Sequence, residues 1–277
     1  MSLRRRTPFS RLGLAFAIAA LLVGTLFPLY YMLLTSLKPD ATLLDQPPAF
    51  LFHPVLDHFK MLLSGNSFPR YYANSITVAV ATTLLTVTLG SMMAYVMATI
   101  PFRLSGTAFF FILLPRTFPP ITTLIPVFVA VRWLGMMDRL TTLILFETAA
   151  CLPLVVWIMR GFIRTIPQSL LEASFVDGCT PAQGFFRIIV PLAAPGLAAV
   201  GIISFIDTWN AFLMPLVLTN FNAVTAPVGM LSYINAEEEL VWGLVAAGAV
   251  LTILPVLIAA FTLNRFLLQG LTAGAVK

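Results

Sequence analysis

The chain has 277 residues, of which 59% are hydrophobic and only 10% charged, with 16 basic against 11 acidic side chains and a formal charge of +5. Its mean hydropathy of +0.96 excludes an ordinary soluble domain, where about a quarter of residues are charged, and the fold class is read as all-α and polytopic in a membrane. The basic excess flanks apolar runs, which speaks for anionic lipid and against nucleic acid as its partner.

Apolar runs that meet the roughly 20 residues of a membrane-crossing helix cover 12–37, 73–100, 107–131, 140–159, 192–218 and 242–266, which predicts six transmembrane helices. The first run continues through Leu37, well past the roughly 7–15 residues of a cleavable signal core, so an uncleaved span is expected. The following loop, 38–72, has room for a small lobe or an amphipathic helix around 59–63. His53 and His58 in it, with no cysteine nearby, read as surface histidines, and no metal site is expected. In the third run Pro115, Pro119, Pro120 and Pro126 must interrupt backbone hydrogen bonding, which predicts a kinked or discontinuous helix. Such a helix either borders a cavity, where unpaired backbone is tolerated, or merely bends to fit its neighbours. Cys151 in the fourth run and Cys179 in a polar loop read as reduced structural thiols. A loop at 219–241 carries Glu237, Glu238 and Glu239, and a small, glycine-bearing tail follows at 267–277.

Basic residues set the expected orientation. With the N-terminus inside, Arg4, Arg5, Arg6, Arg11, Arg103, Arg160, Arg164, Arg187, Arg265 and Lys277 are cytoplasmic, against Lys38, Lys60, Arg70, Arg132 and Arg139 outside. Both termini and the segment 165–191 are then expected in the cytoplasm, with 38–72 and 219–241 as outer loops.

The segment 165–191 is a polar interruption in an otherwise apolar chain. Thr165 and Gln168 fit a capping box with Pro167 in the first turn, and Thr180, Pro181 and Gln183 repeat the arrangement. Gly178 suits the left-handed conformation that ends a helix. The segment is therefore predicted to be helix, glycine turn, helix, closed by Pro191. Leu170, Leu171, Ser174 and Phe175 share a face of the first helix, and Phe185, Phe186, Ile188 and Ile189 one of the second, a pair suited to a partner's groove. An amphipathic segment lying on the membrane surface is the alternative.

This segment resembles the cytoplasmic motif of the permease subunits of binding-protein-dependent ABC importers, of the carbohydrate, maltose-permease-like type. Glu172-Ala173-Ser174, Gly178, Ile188 and Val190-Pro191 fall at that motif's spacings, with Ser174 and Val190 as conservative departures. Further matches are the RGF of Arg160 to Phe162, the VDG ending at Gly178, Trp209-Asn210, the APV beginning at Ala226 and the tail GLTAGAVK. The resemblance implies one transmembrane permease domain over 1–277 in a bacterial or archaeal plasma membrane. It also implies a cytoplasmic helix-turn-helix coupling loop seated in an ATPase dimer through Glu172, Ala173, Ser174, Gly178, Ile188 and Pro191. A second, related permease would complete the pore, and an extracytoplasmic solute-binding protein would touch the loop bearing Glu237, Glu238 and Glu239. The chain has no glycine-rich phosphate loop ending in Gly-Lys, so it is expected to be no enzyme and to bind no cofactor, with ATP and Mg held by the partner ATPase.

Ionisable residues at membrane depth are costly and usually face a bundle interior or water. Arg116, Glu147 and Asp207, with Trp209 and Asn210 beside the last, are therefore candidates for a translocation pathway. Carboxylates, an amide and an indole suit the hydroxyls and apolar faces of a sugar. Alternatively Arg116 pairs structurally with Glu147 or Asp207, and Trp209 is packing. Other classes are an intramembrane enzyme using Glu147 or Asp207 as acid or base, and a stand-alone channel or secondary transporter. The first lacks a Ser-His, Cys-His or metal set in the spans, and the second an internal repeat. Sugars, polyols and glycerol phosphates all remain open as solutes.

Overall fold

The computed structural model describes residues 8–43, 45, 47, 50–65, 67–100, 103–234 and 242–273. Inside a bilayer no water satisfies backbone N–H and C=O groups, so so apolar a chain must pair them within helices. The described elements accordingly are α1 (Pro8–Leu37), a 3-10 turn (Asp40–Thr42), α2 (Asp57–Ser64), α3 (Ser67–Thr99), α4 (Ser105–Leu113) with a 3-10 turn (Leu114–Thr117), α5 (Pro120–Trp133) and α6 (Leu140–Thr165). There follow α7 (Gln168–Val176), α8 (Pro181–Gly184), a π turn (Phe185–Ile189), α9 (Val190–Leu192), α10 (Ala194–Trp209), α11 (Leu213–Leu218), α12 (Ala226–Gly229), α13 (Leu231–Ile234) and α14 (Trp242–Ala273).

Among the described residues, four helices are long and apolar enough to cross a membrane: Gly13–Leu37, Ser67–Thr99, Leu140–Thr165 and Trp242–Thr262. Two bent pairs bring the number to six if each is one crossing, Ser105–Thr117 with Pro120–Trp133 at 95° and Pro181–Leu192 with Ala194–Trp209 at 82°. The first break falls where the proline pattern predicts it. Pro119 is extended (φ −58°, ψ 136°) and Pro120 starts α5, so neither offers an N–H to carry the helix through. The fifth predicted run is less regular than expected: it is split at Ala193 and again at 210–212. Boundaries also move. α3 starts at Ser67, so the loop predicted to reach 72 stops before it, and α6 continues beyond the predicted end at 159 because Met159 and Ile163 are buried in the core.

The chain divides into two compact units, residues 1–66 with 230–253, and 67–229 with 254–277. In the first, α1 is almost wholly exposed, with Phe16 and Leu21 bare, as befits a helix that faces lipid. His58, expected at the surface, is instead buried, its Nε2 2.9 Å from the Lys38 carbonyl oxygen and 3.7 Å from Asp40 Oδ1. A Cβ on Gly243 of α14 would collide with the His58 ring, so glycine there permits the close approach.

In the second unit α3 packs along α6 and α10. Ala79, Thr82, Thr86, Gly90 and Ala94 follow one another at helical spacing along the buried side of α3, and small side chains let helix backbones approach where no hydrophobic effect drives them together. The core formed there by Ala94, Tyr95, Val155, Val156 and Met159 also takes in Leu171, Phe185 and Ile189 from the segment after α6. Packed between these helices, the buried hydroxyls of Thr82, Thr86, Thr148 and Ser204 have no hydrogen-bond partner among the described residues.

Candidate functional site: a helical elbow and a charged cavity

The segment 165–192 is two short helical pieces around a glycine turn. Gly178 has φ +85°, its N–H donates to Phe175 O at 3.1 Å, and the Cys179 N–H donates to Ser174 O at 2.9 Å. Those paired bonds terminate α7 in a conformation that glycine adopts without cost. The capping box at Thr180 forms completely: its N–H donates to Gln183 Oε1 at 2.9 Å and the Gln183 N–H donates to Thr180 Oγ1 at 3.3 Å. The box expected at Thr165 does not form. Thr165 still belongs to α6, where its hydroxyl donates to Phe162 O at 2.7 Å, and α7 begins at Gln168 with Pro167 as an uncapped N-cap.

Helical faces in this elbow divide differently from their sequence periodicity. Leu171 and Ser174 are buried, and so are Phe185 and Ile189, while Leu170, Phe175 and Phe186 stay open. The Tyr95 hydroxyl donates to Pro181 O at 3.1 Å, and its ring lies 5.3 Å from that of Phe185. Half of each expected docking face is thus spent on anchoring the elbow to α3. Ser174, expected against a partner, instead bonds Leu171 O at 2.7 Å within the core. Glu172, Ala173, Val176, Gly178 and Pro191 remain exposed and Ile188 is half-buried.

The helix breaks build a cavity of about 830 Å³, within the roughly 300–1,000 Å³ range of small-molecule sites. Arg116 enters from the 3-10 turn before the Pro119 break, Glu147 from α6, Asp207 from the last turn of α10 and Asn210 from the gap that follows it. Phe118, Phe146 and Phe212 supply apolar walls. Arg116 Nη2 lies 3.4 Å from Asp207 Oδ2, with both side chains about half exposed, so the guanidinium pairs with Asp207 and not with Glu147. Trp209, grouped with these residues by sequence, does not line the cavity: it is 1% exposed, with Tyr72 edge-on at 5.5 Å and Phe205 stacked at 5.9 Å. Two residues beyond Asp207 along α10, its side chain falls on another face. Glu237, Glu238 and Glu239 lie outside the described residues.

Two structural groups escape the sequence reading. Arg160 sits with its guanidinium 4.2 Å above the Phe109 ring, a cation–π contact that ties α6 to α4. Asp138, between α5 and α6, holds a whole loop. Its Oδ1 accepts the N–H groups of Asn220, Phe221, Asn222 and Ala223 at 3.0–3.2 Å, and its Oδ2 accepts the Asn222 side-chain amide at 2.9 Å. Burial acts to raise the pKa of Asp138, but the N–H groups of Ala223, Asn222, Asn220 and Phe221 outweigh it and hold the carboxyl down at about 2. Asn222 in turn accepts from Arg70 Nη2 at 2.7 Å, and Asn74 Nδ2 donates to the carbonyls of Asn222 and Val224, each at 2.9 Å. The signal for this knot was an acidic residue in a short turn after Gly135 and a polar Thr-Asn-Phe-Asn stretch far downstream, which nothing local connects.

A family model described as the binding-protein-dependent transport system inner membrane component matches residues 86–272. A probable ABC transporter permease of Sinorhizobium fredii is 35% identical, covering 91% of this chain and 90% of its own. The trehalose transport system permease of Mycobacterium tuberculosis is 37% identical, covering 93% and 94%. Among solved structures, a bacterial ABC transporter involved in the import of the acidic polysaccharide alginate superposes with a TM-score of 0.83 at 22% identity, over 95% of this chain and 99% of that one. The alginate transporter in complex with its pentasaccharide-bound periplasmic protein superposes with 0.64 at 17% identity, over 92% and 94%.

Proposed function

The chain belongs to the family of inner membrane components of binding-protein-dependent transport systems, and on that premise we propose that it is one of two permease subunits of an ATP-driven importer for a sugar or sugar-like solute. The observation that carries the reading is the elbow: Glu172, Ala173 and Gly178 project from a unit whose other face is buried in the core of α3 and α6. Such a lever transmits a push without deforming, because packed cores shift as rigid bodies.

In this mechanism an ATPase dimer in the cytoplasm holds ATP and Mg and grips the elbow of this chain and that of a second, related permease. Closure of the dimer draws the elbows together and tilts the helices that bear them, which opens the cavity to the outside, and hydrolysis resets it. Glu172 would enter the ATPase cleft and find a cation there, since an unpaired carboxylate in an interface is costly. The ten-to-five bias of basic residues supports placing both termini and the elbow inside. A solute-binding protein would deliver the solute at the outer side, as the named alginate complex has a periplasmic partner. The relatives named for sugar uptake support a sugar as solute.

Glu172→Ala tests the reading in vesicles. The variant is expected to assemble with its partners but to lose about tenfold or more of ATP-driven uptake, the equivalent of one lost charge-assisted contact. Uptake equal to that of the parent would overturn the lever.

A further inference from the structure

Glu147 stands apart from the other charges of the cavity. It is 9% exposed, it lines the cavity wall, and among the described residues no hydrogen bond or ion pair reaches its carboxylate. Arg116 is already engaged at 3.4 Å by Asp207, so that pair is neutral and the uncompensated group is Glu147. A carboxylate so little exposed needs donors, and among the described residues none is bonded to it.

We propose that Glu147 is the solute-facing acceptor of this permease, and that the cavity takes uncharged or amino-bearing sugars and turns acidic ones away. The inference rests on the importer reading and adds the solute's charge class to it. Hydroxyl or ammonium groups of the passing solute donate to Glu147, while Phe146 and Phe212 offer faces for the apolar side of a sugar ring. An anionic sugar meets instead a carboxylate with no counter-charge to spare, and like charges in a confined site repel strongly. The chain therefore differs in selectivity from the alginate importer that shares its fold, whose solute is an acidic polysaccharide.

The test uses the complex as it purifies from membranes, carrying Ala150→Cys as a reporter on the open wall of the cavity and Cys179→Ala to remove the thiol of the elbow. Maleimide labelling is followed without ATP in the presence of glucose, glucosamine or glucuronate at equal concentration, with the parent lacking Ala150→Cys as the baseline for Cys151. Glucose and glucosamine are expected to slow labelling about threefold or more, and glucuronate to leave it within about twofold of the sugar-free rate, the discrimination expected of one like charge. Adding Glu147→Gln is expected to let glucuronate protect as glucose does. Equal protection by glucuronate and glucose in the presence of Glu147, or protection by none of the three, would overturn the proposal. So would loss of the second permease from the Glu147→Gln complex, since the carboxylate would then serve a partner's cation. The importer reading fails by another measurement, uptake by the parent complex that persists when ATP is withheld, so the two failures are distinguishable.

Discussion

The elbow and the Asp138 knot sit at opposite ends of α3 and are held by opposite means. Tyr95 anchors the elbow and Asn74 the knot, positions separated by about 30 Å of helix at 1.5 Å per residue, the thickness of a bilayer's hydrocarbon core. At the Tyr95 end, Leu171, Phe185 and Ile189 are sunk into a core of aliphatic side chains. At the Asn74 end, one carboxylate gathers four consecutive backbone N–H groups, and Asn74, Arg70 and Ser75 fasten the loop to α3. Apolar anchoring fixes a position while leaving the outward face free to meet a partner. Directional hydrogen bonds fix the backbone path of a loop that has no core of its own. Under the proposed lever the elbow would move as a body, whereas the knot holds the shape of a loop.

Truncating one anchor at each end should separate the two kinds of attachment. Phe185→Ala should destabilise the purified complex by about 3 kcal/mol, the usual cost of emptying a buried aromatic site, read as a lower midpoint in thermal unfolding in detergent. A loss of under about 1 kcal/mol would mean the elbow is not anchored by packing. Asp138→Ala should cost about 2 kcal/mol, because it leaves several N–H groups without an acceptor at a partly open site. Its pH dependence distinguishes it from the apolar anchor. With the folded pKa held at about 2 below a normal value of 3.8, the contribution of Asp138 is full above about pH 4, fades as the pH falls towards 2, and is absent in Asp138→Ala. Phe185→Ala should show no such difference from the parent over that window. Asp138→Gly separates the carboxylate from its backbone, since Asp138 has φ 55°: a loss matching that of Asp138→Ala assigns the effect to the hydrogen bonds.

A smaller effect is expected at the turn of the elbow. Gly178→Ala places a Cβ at φ +85°, worth about 1 kcal/mol of strain, and should slow ATP-driven uptake more than it lowers the unfolding midpoint. Val176→Ala is the mildest. At 88% exposure it should change stability by less than about 0.5 kcal/mol, yet weaken retention of the copurified ATPase; unchanged retention would move the gripped surface away from the end of α7.

The helical class, the apolar runs, the broken third helix, the glycine turn and the Thr180 cap were all legible in the chain, because each depends on neighbours within a few residues. A proline without an N–H breaks a helix wherever it falls, and Thr180 finds Gln183 one turn away. The Thr165 cap was misread because a cap requires the helix before it to have ended, and the packing of Ile163 carries α6 through that residue. In the same way Ser174 looked like part of a docking face until the core claimed it.

Composition and local spacing thus determined that this protein is a membrane-embedded helical bundle with a capped helical elbow, since lipid leaves the backbone no other way to satisfy itself. Tertiary structure alone decided which charge meets which: Arg116 lies 91 residues from Asp207 and Asp138 more than 80 from the loop it gathers. Periodicity assigns a residue to a face of its own helix, but only the packing of α3, α6 and α10 decides whether that face meets core, cavity or the outside. For that reason Trp209 went to the core, Asp207 to the cavity, and Glu147 to the cavity wall with no partner among the described residues.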